Sequence, residues 1–268
     1  MHPLVAHASA ALGLGSCRVV PLHGGDLSEV VRLIPDTGPS IVAKSSPLAE
    51  AEAQMLQALA AAGVPAPTVL HAAPGFLVME DLGTDTGLGQ AWGPLGASLA
   101  QLHATTGASY GWACDYAFGS VVIQNAATED WPSFWATRRL MPFVPHVPIA
   151  YARRIEDLCP RLPQFLPAHP PAALLHGDLW AGNVMAQGAR VTGLIDPACY
   201  YGDAEVDLAM LCLFGHPTPA FWEAYGAPAP GFELRRALYQ LFPALVHVRL
   251  FGAGYLSLVT RCLETVDA

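Results

Sequence analysis

Over the first eighty positions, apolar residues come in short runs punctuated by glycine and proline. Residues 17–22 (CRVVPL) and 29–34 (EVVRLI) read as strands on either side of His23-Gly24-Gly25-Asp26. The turn signal Pro35-Asp36-Thr37-Gly38-Pro39 leads into a third strand over 40–44 (SIVAK). Ser46 followed by Pro47 reads as an N-cap and first helical position, with a helix running to about Ala62 and stopped by Gly63 and Pro65. Phe76-Leu77-Val78-Met79 forms a short strand, and Glu80-Asp81-Leu82-Gly83 a linker. Beyond it the spacing turns helical near 89–104, 131–141 and 148–159. The exception is 184–195, which reads as a β-hairpin turning about Gln187-Gly188. Two or three helices are expected from Asp203 to the end. The pattern predicts an α+β chain of two lobes: 1–79 as an antiparallel sheet with a helix, 80–83 as a hinge, and 84–268 as mainly helical with the hairpin inserted.

Composition narrows the possibilities. The 268 residues are 53% hydrophobic and 13% charged, which excludes a disordered chain. Thirteen basic residues against 22 acidic ones give a net charge of −9. Nucleic acid is therefore not an expected partner, and there is no basic patch to hold an anionic membrane. An acidic balance suits cations: a metal ion, an amine, a metal–nucleotide complex. Two long uncharged stretches, 53–79 and 86–114, are interrupted by proline or glycine, and neither reads as a membrane span. The N-terminus lacks the basic segment of a signal peptide. Six scattered cysteines form neither a CxxC nor a zinc pattern, so a reduced, cytoplasmic protein is expected. The basic residues are twelve arginines and one lysine, Lys44.

The densest chemistry lies in Leu174-Leu175-His176-Gly177-Asp178-Leu179-Trp180-Ala181-Gly182-Asn183, followed by the hairpin and Ile195-Asp196-Pro197. Asp178 and Asn183 have the D-x4-N spacing of a phosphotransferase catalytic loop. The hairpin brings Asn183 and Asp196 to its open end, and an amide oxygen beside a carboxylate suits Mg²⁺. Asp178 can accept or orient a hydroxyl proton. Lys44, ending an apolar strand, can present a fixed ammonium to phosphates. In the next helix Glu52 shares a face with Met55, Leu56 and Leu59, so it points inward and is a better partner for Lys44 than Glu50. Gly24-Gly25 can approach phosphates through backbone N–H groups.

These segments, with PLHGGDLSE (21–29), EAEAQMLQAL (50–59), IDPACYYGDAEVDLAML (195–211) and LFGAGYLS (250–257), resemble the fructosamine kinase (ketosamine-3-kinase) family, related to aminoglycoside phosphotransferases and, more remotely, protein kinases. The resemblance implies a protein-kinase-like fold and ATP and Mg²⁺ as cofactors. It implies Asp178 as the base or orienting carboxylate, Asn183 and Asp196 as Mg²⁺ ligands, and Lys44 with Glu52 on the α/β-phosphates. Glu80 and Leu82 would meet adenine through backbone groups, and Trp180 would form part of a sugar–amine pocket. The implied partner is an amine–sugar adduct, free or on a glycated amine. Alternatives are another hydroxyl acceptor, such as an aminoglycoside or a choline-like amine, and a non-catalytic nucleotide-binding pseudokinase.

Several residues carry two readings. Asp203 reads first as a helix N-cap and second as a substrate contact. Tyr200 and Tyr201 read equally as acceptor-site walls or packing. Asp207 and His176 read as steadying the catalytic loop; His103 and His247 read as structural, with His247 carrying a second reading as a pocket residue. The chain departs from the family pattern at Asp26, where some relatives carry a cysteine, and at Ala204, where many have arginine. It departs again at Phe214-Gly215-His216, where FGG is common.

Overall fold

The structure, a computed structural model, describes residues 3–22, 28–84 and 87–267. Gly24, Gly25 and Asp26 lie outside the described residues. The chain opens with helix α1 (Pro3–Leu12), then strands β1 (Cys17–Leu22), β2 (Val30–Pro35) and β3 (Ile41–Ser46), helix α2 (Ala49–Ala61), and strands β4 (Val69–Ala73) and β5 (Gly75–Glu80). There follow α3 (Trp92–Ala104), β6 (Tyr116–Phe118), β7 (Val121–Ile123), α4 (Trp131–Phe134), α5 (Ile149–Leu158), β8 (Ala173–Leu175), β9 (Val184–Gln187), β10 (Arg190–Leu194) and β11 (Tyr200–Gly202). Four helices end the chain: α6 (Glu205–Phe214), α7 (Pro219–Tyr225), α8 (Phe232–Phe251) and α9 (Leu256–Asp267). The expected two or three are four because Gly215, Pro217, Pro228, Pro230 and Gly252 interrupt the run. Among the described residues no helix is long and apolar enough to cross a membrane.

Contacts divide the chain into Met1–Ala91 with Gly182–Pro197, and Trp92–Ala181 with Ala198–Ala268. The hairpin, expected within 84–268, thus packs with the first unit, where the Leu194 N–H donates to the Pro65 carbonyl at 2.9 Å.

In the first unit five antiparallel strands run in the order β1-β2-β3-β5-β4. Strand side chains alternate between faces, and both faces of the sheet centre are covered. Leu4, Val5 and Ala8 of α1 pack with Val31, Leu33, Ile41 and Val78. Ala49, Ala53 and Leu56 of α2 pack with Val42, Leu77 and Met79. β3 continues to Ser46, so α2 starts two residues later than the Ser-Pro signal predicts. Ser46 is buried and its hydroxyl accepts from the Leu48 N–H at 3.2 Å, holding the turn between strand and helix instead of capping the helix.

The β9–β10 hairpin turns at Gly188-Ala189, one residue later than expected, with Gln187 opposite Arg190. A bulge between Val191 and Gly193 then shifts the register, so that Val184 faces Leu194. The shift brings the Ile195 N–H to the Asn183 carbonyl at 3.0 Å.

The second unit buries an aromatic core. Trp131, Phe134, Trp135 and Tyr239 are fully or almost fully buried, with Trp131 and Phe134 stacked at 5.3 Å. The Trp131 indole N–H donates to the Tyr239 hydroxyl (2.9 Å), which donates to Asp203 (2.7 Å). Among these rings lies Arg139, a buried cation whose guanidinium sits 4.1 Å from the Tyr200 ring centre and donates to the Asn125 side chain at 2.8 Å. The short β8–β11 ladder pairs Leu175 with Tyr200 and carries the chain into the His176–Asp178 loop.

Candidate active site

In the first unit the strand period dictates where Lys44 points. It lies two residues after Val42 on β3, so both face α2. On α2, Glu52 is 1% exposed beside Met55, Leu56 and Leu59. The Lys44 ammonium donates to Glu52 Oε1 and to Asp196 Oδ1, each at 2.7 Å. Glu52, from the next helix, and Asp196, 152 residues beyond Lys44 in the chain, therefore meet at the Lys44 nitrogen.

Two carboxylates share this single ammonium. Burial alone would lower the Lys44 pKa, but Asp196 and Glu52 more than offset it and hold it above the usual value. Burial pushes the Glu52 carboxyl up, Lys44 pulls it down, and the Asp196 charge adds to the rise, leaving it raised. Glu52 Oε2 is buried with no hydrogen-bond partner. The cluster carries one negative charge more than its cation neutralises. Asp196 is also the only residue other than glycine with positive φ (54°) among the described residues, a conformation aspartate tolerates better than bulkier residues.

Asn183 is buried at the mouth of the hairpin, and the Asp196 side chain retains 36% exposure. The donor set is all oxygen, as a hard divalent cation requires. Among the described residues no group of three His, Cys, Asp or Glu could hold a metal. A two-residue oxygen set completed by phosphate and water is the way Mg²⁺ is usually held beside a nucleotide, so these residues fit it.

The linker is anchored by residues the sequence reading did not single out. Arg32 on β2 makes a 2.6 Å ion pair with Asp81 and donates to the Gly83 carbonyl at 2.8 Å. Burial works against ionisation of Asp81, but Arg32 prevails and holds its carboxyl below the usual range. The Glu80 N–H donates to the Thr68 carbonyl at 2.9 Å, which removes that N–H from the expected adenine contacts. Gly193 of β10 passes close to Leu82: a Cβ there would sit 2.3 Å from Leu82 Cδ1.

In the second unit the loop after β8 is clamped by one carboxylate. Asp207, fully buried in the first turn of α6, accepts the His176 N–H at 2.7 Å and the Gly177 N–H at 2.9 Å. His103 Nε2 lies 3.2 Å from the same carboxylate. Burial opposes ionisation of Asp207, yet these donors hold its carboxyl below the usual range. Gly177 adopts φ 81°, and a Cβ there would lie 2.0 Å from the Ala198 carbonyl oxygen, so no other residue fits. The Asp178 N–H donates to His176 Nδ1 at 3.3 Å, and Asp178 is a half-buried residue. Trp180, two residues on, is 41% exposed.

The remaining expected acceptor residues do not line a surface. Tyr200 is buried at 2% exposure between Phe134 and Arg139, and its hydroxyl has no hydrogen bond of ordinary geometry. Its place is the core, which corrects the acceptor-site reading. Asp203 is also buried; it accepts from the Tyr239 hydroxyl and from the Glu205 N–H (3.0 Å), tying α8 to the start of α6. Its carboxylate steadies the start of α6 from one residue before the N-cap, Ala204, so the expected N-cap position shifts by one. Tyr201 instead packs its ring over Gly107, where a Cβ would approach to 2.6 Å.

The fructosamine kinase family model matches residues 17–268. A Synechocystis protein named "Probable ketoamine kinase" is 39% identical over 225 residues, covering 77% of this chain and 74% of its own. A chloroplastic protein-ribulosamine 3-kinase of rice is 34% identical over 209 residues, 72% of this chain and 60% of its own. The crystal structure of a candidate fructosamine-3-kinase from Thermobifida fusca superposes with a TM-score of 0.91 at 29% identity, covering 100% of this chain and 99% of its own. More distant phosphotransferases share the architecture, which is α+β and protein-kinase-like. With the whole chain from β1 onward matched, this protein belongs to the fructosamine kinase family.

Proposed function

We propose that the protein is an ATP- and Mg²⁺-dependent kinase that phosphorylates a sugar hydroxyl of a ketosamine, the adduct of a sugar with an amine. The observation that carries the nucleotide half is the Lys44–Glu52–Asp196 cluster, with both nitrogen–oxygen distances at 2.7 Å. Glu52 holds the Lys44 ammonium in place, where it neutralises the α- and β-phosphates. Asn183 and Asp196 would hold Mg²⁺, which would supply charge neutralisation at the phosphate oxygens. The excess negative charge of the cluster is what makes it receptive to a divalent cation. Leu82 contributes to the adenine site through its backbone.

Asp178 supplies the acceptor half. The hydroxyl oxygen attacks the γ-phosphorus, the bond to the β–γ bridging oxygen breaks, ADP leaves, and the hydroxyl proton passes to the Asp178 carboxylate. The Asp207 clamp on His176 and Gly177 fixes the loop that carries it, and positioning is the main contribution a kinase makes to this chemistry. Trp180, exposed on the same loop, offers a flat face to the sugar or to the amine it carries. Family membership favours the ketosamine class, since relatives are named for ketoamines and ribulosamines.

The test is ADP release from purified protein with Mg-ATP across ribulosyl-, erythrulosyl- and fructosyl-amines, with aminoglycosides and choline beside them. Turnover with a ketosamine supports the proposal. Turnover with an aminoglycoside or choline alone would transfer it to that acceptor, and binding of ATP without turnover on any acceptor would make the protein a pseudokinase.

A further inference from the structure

The clamp on the catalytic loop has a second layer. Asp207 Oδ2 accepts the His176 N–H and also faces His103 Nε2 at 3.2 Å. The other ring nitrogen, His103 Nδ1, lies 2.8 Å from the Tyr225 hydroxyl. An ionised carboxylate only accepts, so the His103 proton must sit on Nε2; in the neutral ring Nδ1 then accepts from the Tyr225 O–H. The carboxylate thus sets the tautomer, and the phenol, able to donate or accept, bonds the remaining nitrogen and holds the ring in place.

The helices carrying these residues are built to meet. Gly96 and His103 are seven apart on α3, hence on one face; Phe221 and Tyr225 are four apart on α7, likewise on one face. A Cβ at Gly96 would lie 2.4 Å from the Phe221 carbonyl oxygen, so the glycine lets α7 approach α3. One face later along the same contact, the His103 and Tyr225 rings meet edge to face at 5.6 Å. His103 is 9% exposed and Asp207 is fully buried, so the bond between them is shielded from solvent, with half-buried Tyr225 at its outer end.

We infer that His103 is a positioning residue for phosphoryl transfer: oriented by Tyr225, it fixes the Asp207 carboxylate that holds the two backbone N–H groups preceding Asp178. The inference rests on the kinase reading only for its effect on turnover; the clamp itself is independent of the acceptor.

Four variants test it: His103→Leu, His103→Gln, Tyr225→Phe and the double variant His103→Leu/Tyr225→Phe. Each is measured for amide hydrogen exchange at residues 176 and 177, for kcat and ATP KM with a ketosamine, and for thermal midpoint. His103→Leu should speed exchange at both amides and lower kcat about tenfold to a hundredfold with ATP KM unchanged. Glutamine places an N–H near the position of Nε2, so His103→Gln should recover most of both. Tyr225→Phe should lower kcat in the wild-type background and have no further effect in the His103→Leu background. Unchanged exchange in His103→Leu would overturn the inference. So would full Tyr225→Phe sensitivity without His103, or parallel loss of kcat, KM and midpoint in every variant including glutamine. If the wild type turns over no ketosamine, the functional proposal fails, and the exchange arm still decides the role of His103.

Discussion

Replacing Lys44 by methionine removes the only cation from a cluster of two carboxylates. Asp196 keeps 36% side-chain exposure and can turn to water, whereas Glu52 is 1% exposed and cannot. Breaking a buried ion pair by deleting one partner costs about 3–5 kcal/mol, because the remaining charge is left uncompensated. That cost has an upper limit set by protonation: Glu52 already has a raised pKa, and without Lys44 it rises further. The folded state then holds a proton that the unfolded state has released above about 4.5. Stability therefore falls as pH rises, by up to about 1.4 kcal/mol per pH unit between the unfolded and folded pKa values.

Lys44→Met should thus be near wild-type stability at about pH 5 and lose most of those 3–5 kcal/mol by about pH 8. Adding Glu52→Gln removes the stranded charge and should restore most of the loss at the higher pH. Urea unfolding at both pH values reads each effect. In the wild type the sign is the same but the window lies higher: Lys44 has a raised pKa, so its contribution is fully present below 10.5 and is lost only as pH climbs through the folded value. A pH-independent loss in Lys44→Met, or a double variant less stable than the single one, would refute the reasoning. Lys44→Arg keeps a charge but is wider and planar, so the fold should survive while most activity is lost.

Three further outcomes follow from the packing in and around the site. Gly177→Ala places a Cβ 2.0 Å from the Ala198 carbonyl and forces φ 81° on alanine; kcat should fall roughly a hundredfold, with about 1–3 kcal/mol of stability lost in chemical denaturation. Gly193→Val presses on Leu82, whose Cδ1 would lie 2.3 Å from a Cβ at that position, and should raise ATP KM roughly threefold to tenfold with kcat unchanged in steady-state assays. Tyr200→Phe removes a buried hydroxyl that makes no ordinary hydrogen bond; it should leave acceptor KM unchanged and stability within about 1 kcal/mol, whereas a raised acceptor KM would return Tyr200 to the substrate pocket.

What could be read from the chain was what periodicity and spacing encode. The inward face of α2 singles out Glu52 because Met55, Leu56 and Leu59 recur with it, and the structure joins Glu52 to Lys44. The hairpin was visible, but the bulge between Val191 and Gly193 was not, since a single inserted residue leaves the alternation readable on either side. β4 escaped notice because it is an edge strand between Pro67 and Pro74 with only partial burial. β6, β7, β8 and β11 are three residues each, too short for a period-two signal. The π-helical stretch Trp135–Leu140, which directs Arg139 into the aromatic core, has no pattern of its own. Tyr200 and Tyr201 were equivalent as letters; adjacent strand positions send them to opposite sides, one to Arg139 and one to Gly107. The His103–Asp207–Tyr225 chain spans residues more than a hundred apart, and only tertiary contact reveals it.

The central claim is that this chain transfers the γ-phosphate of ATP to a ketosamine with Asp178 receiving the hydroxyl proton. The most direct measurement is transfer of labelled γ-phosphate from Mg-ATP to ribulosyl-lysine by the wild type and by Asp178→Asn, with nucleotide affinity measured alongside. The account predicts a phosphorylated ketosamine from the wild type, loss of transfer in Asp178→Asn, and equal ATP affinity in both. No labelled ketosamine from an ATP-binding wild type, or undiminished transfer by Asp178→Asn, would contradict it.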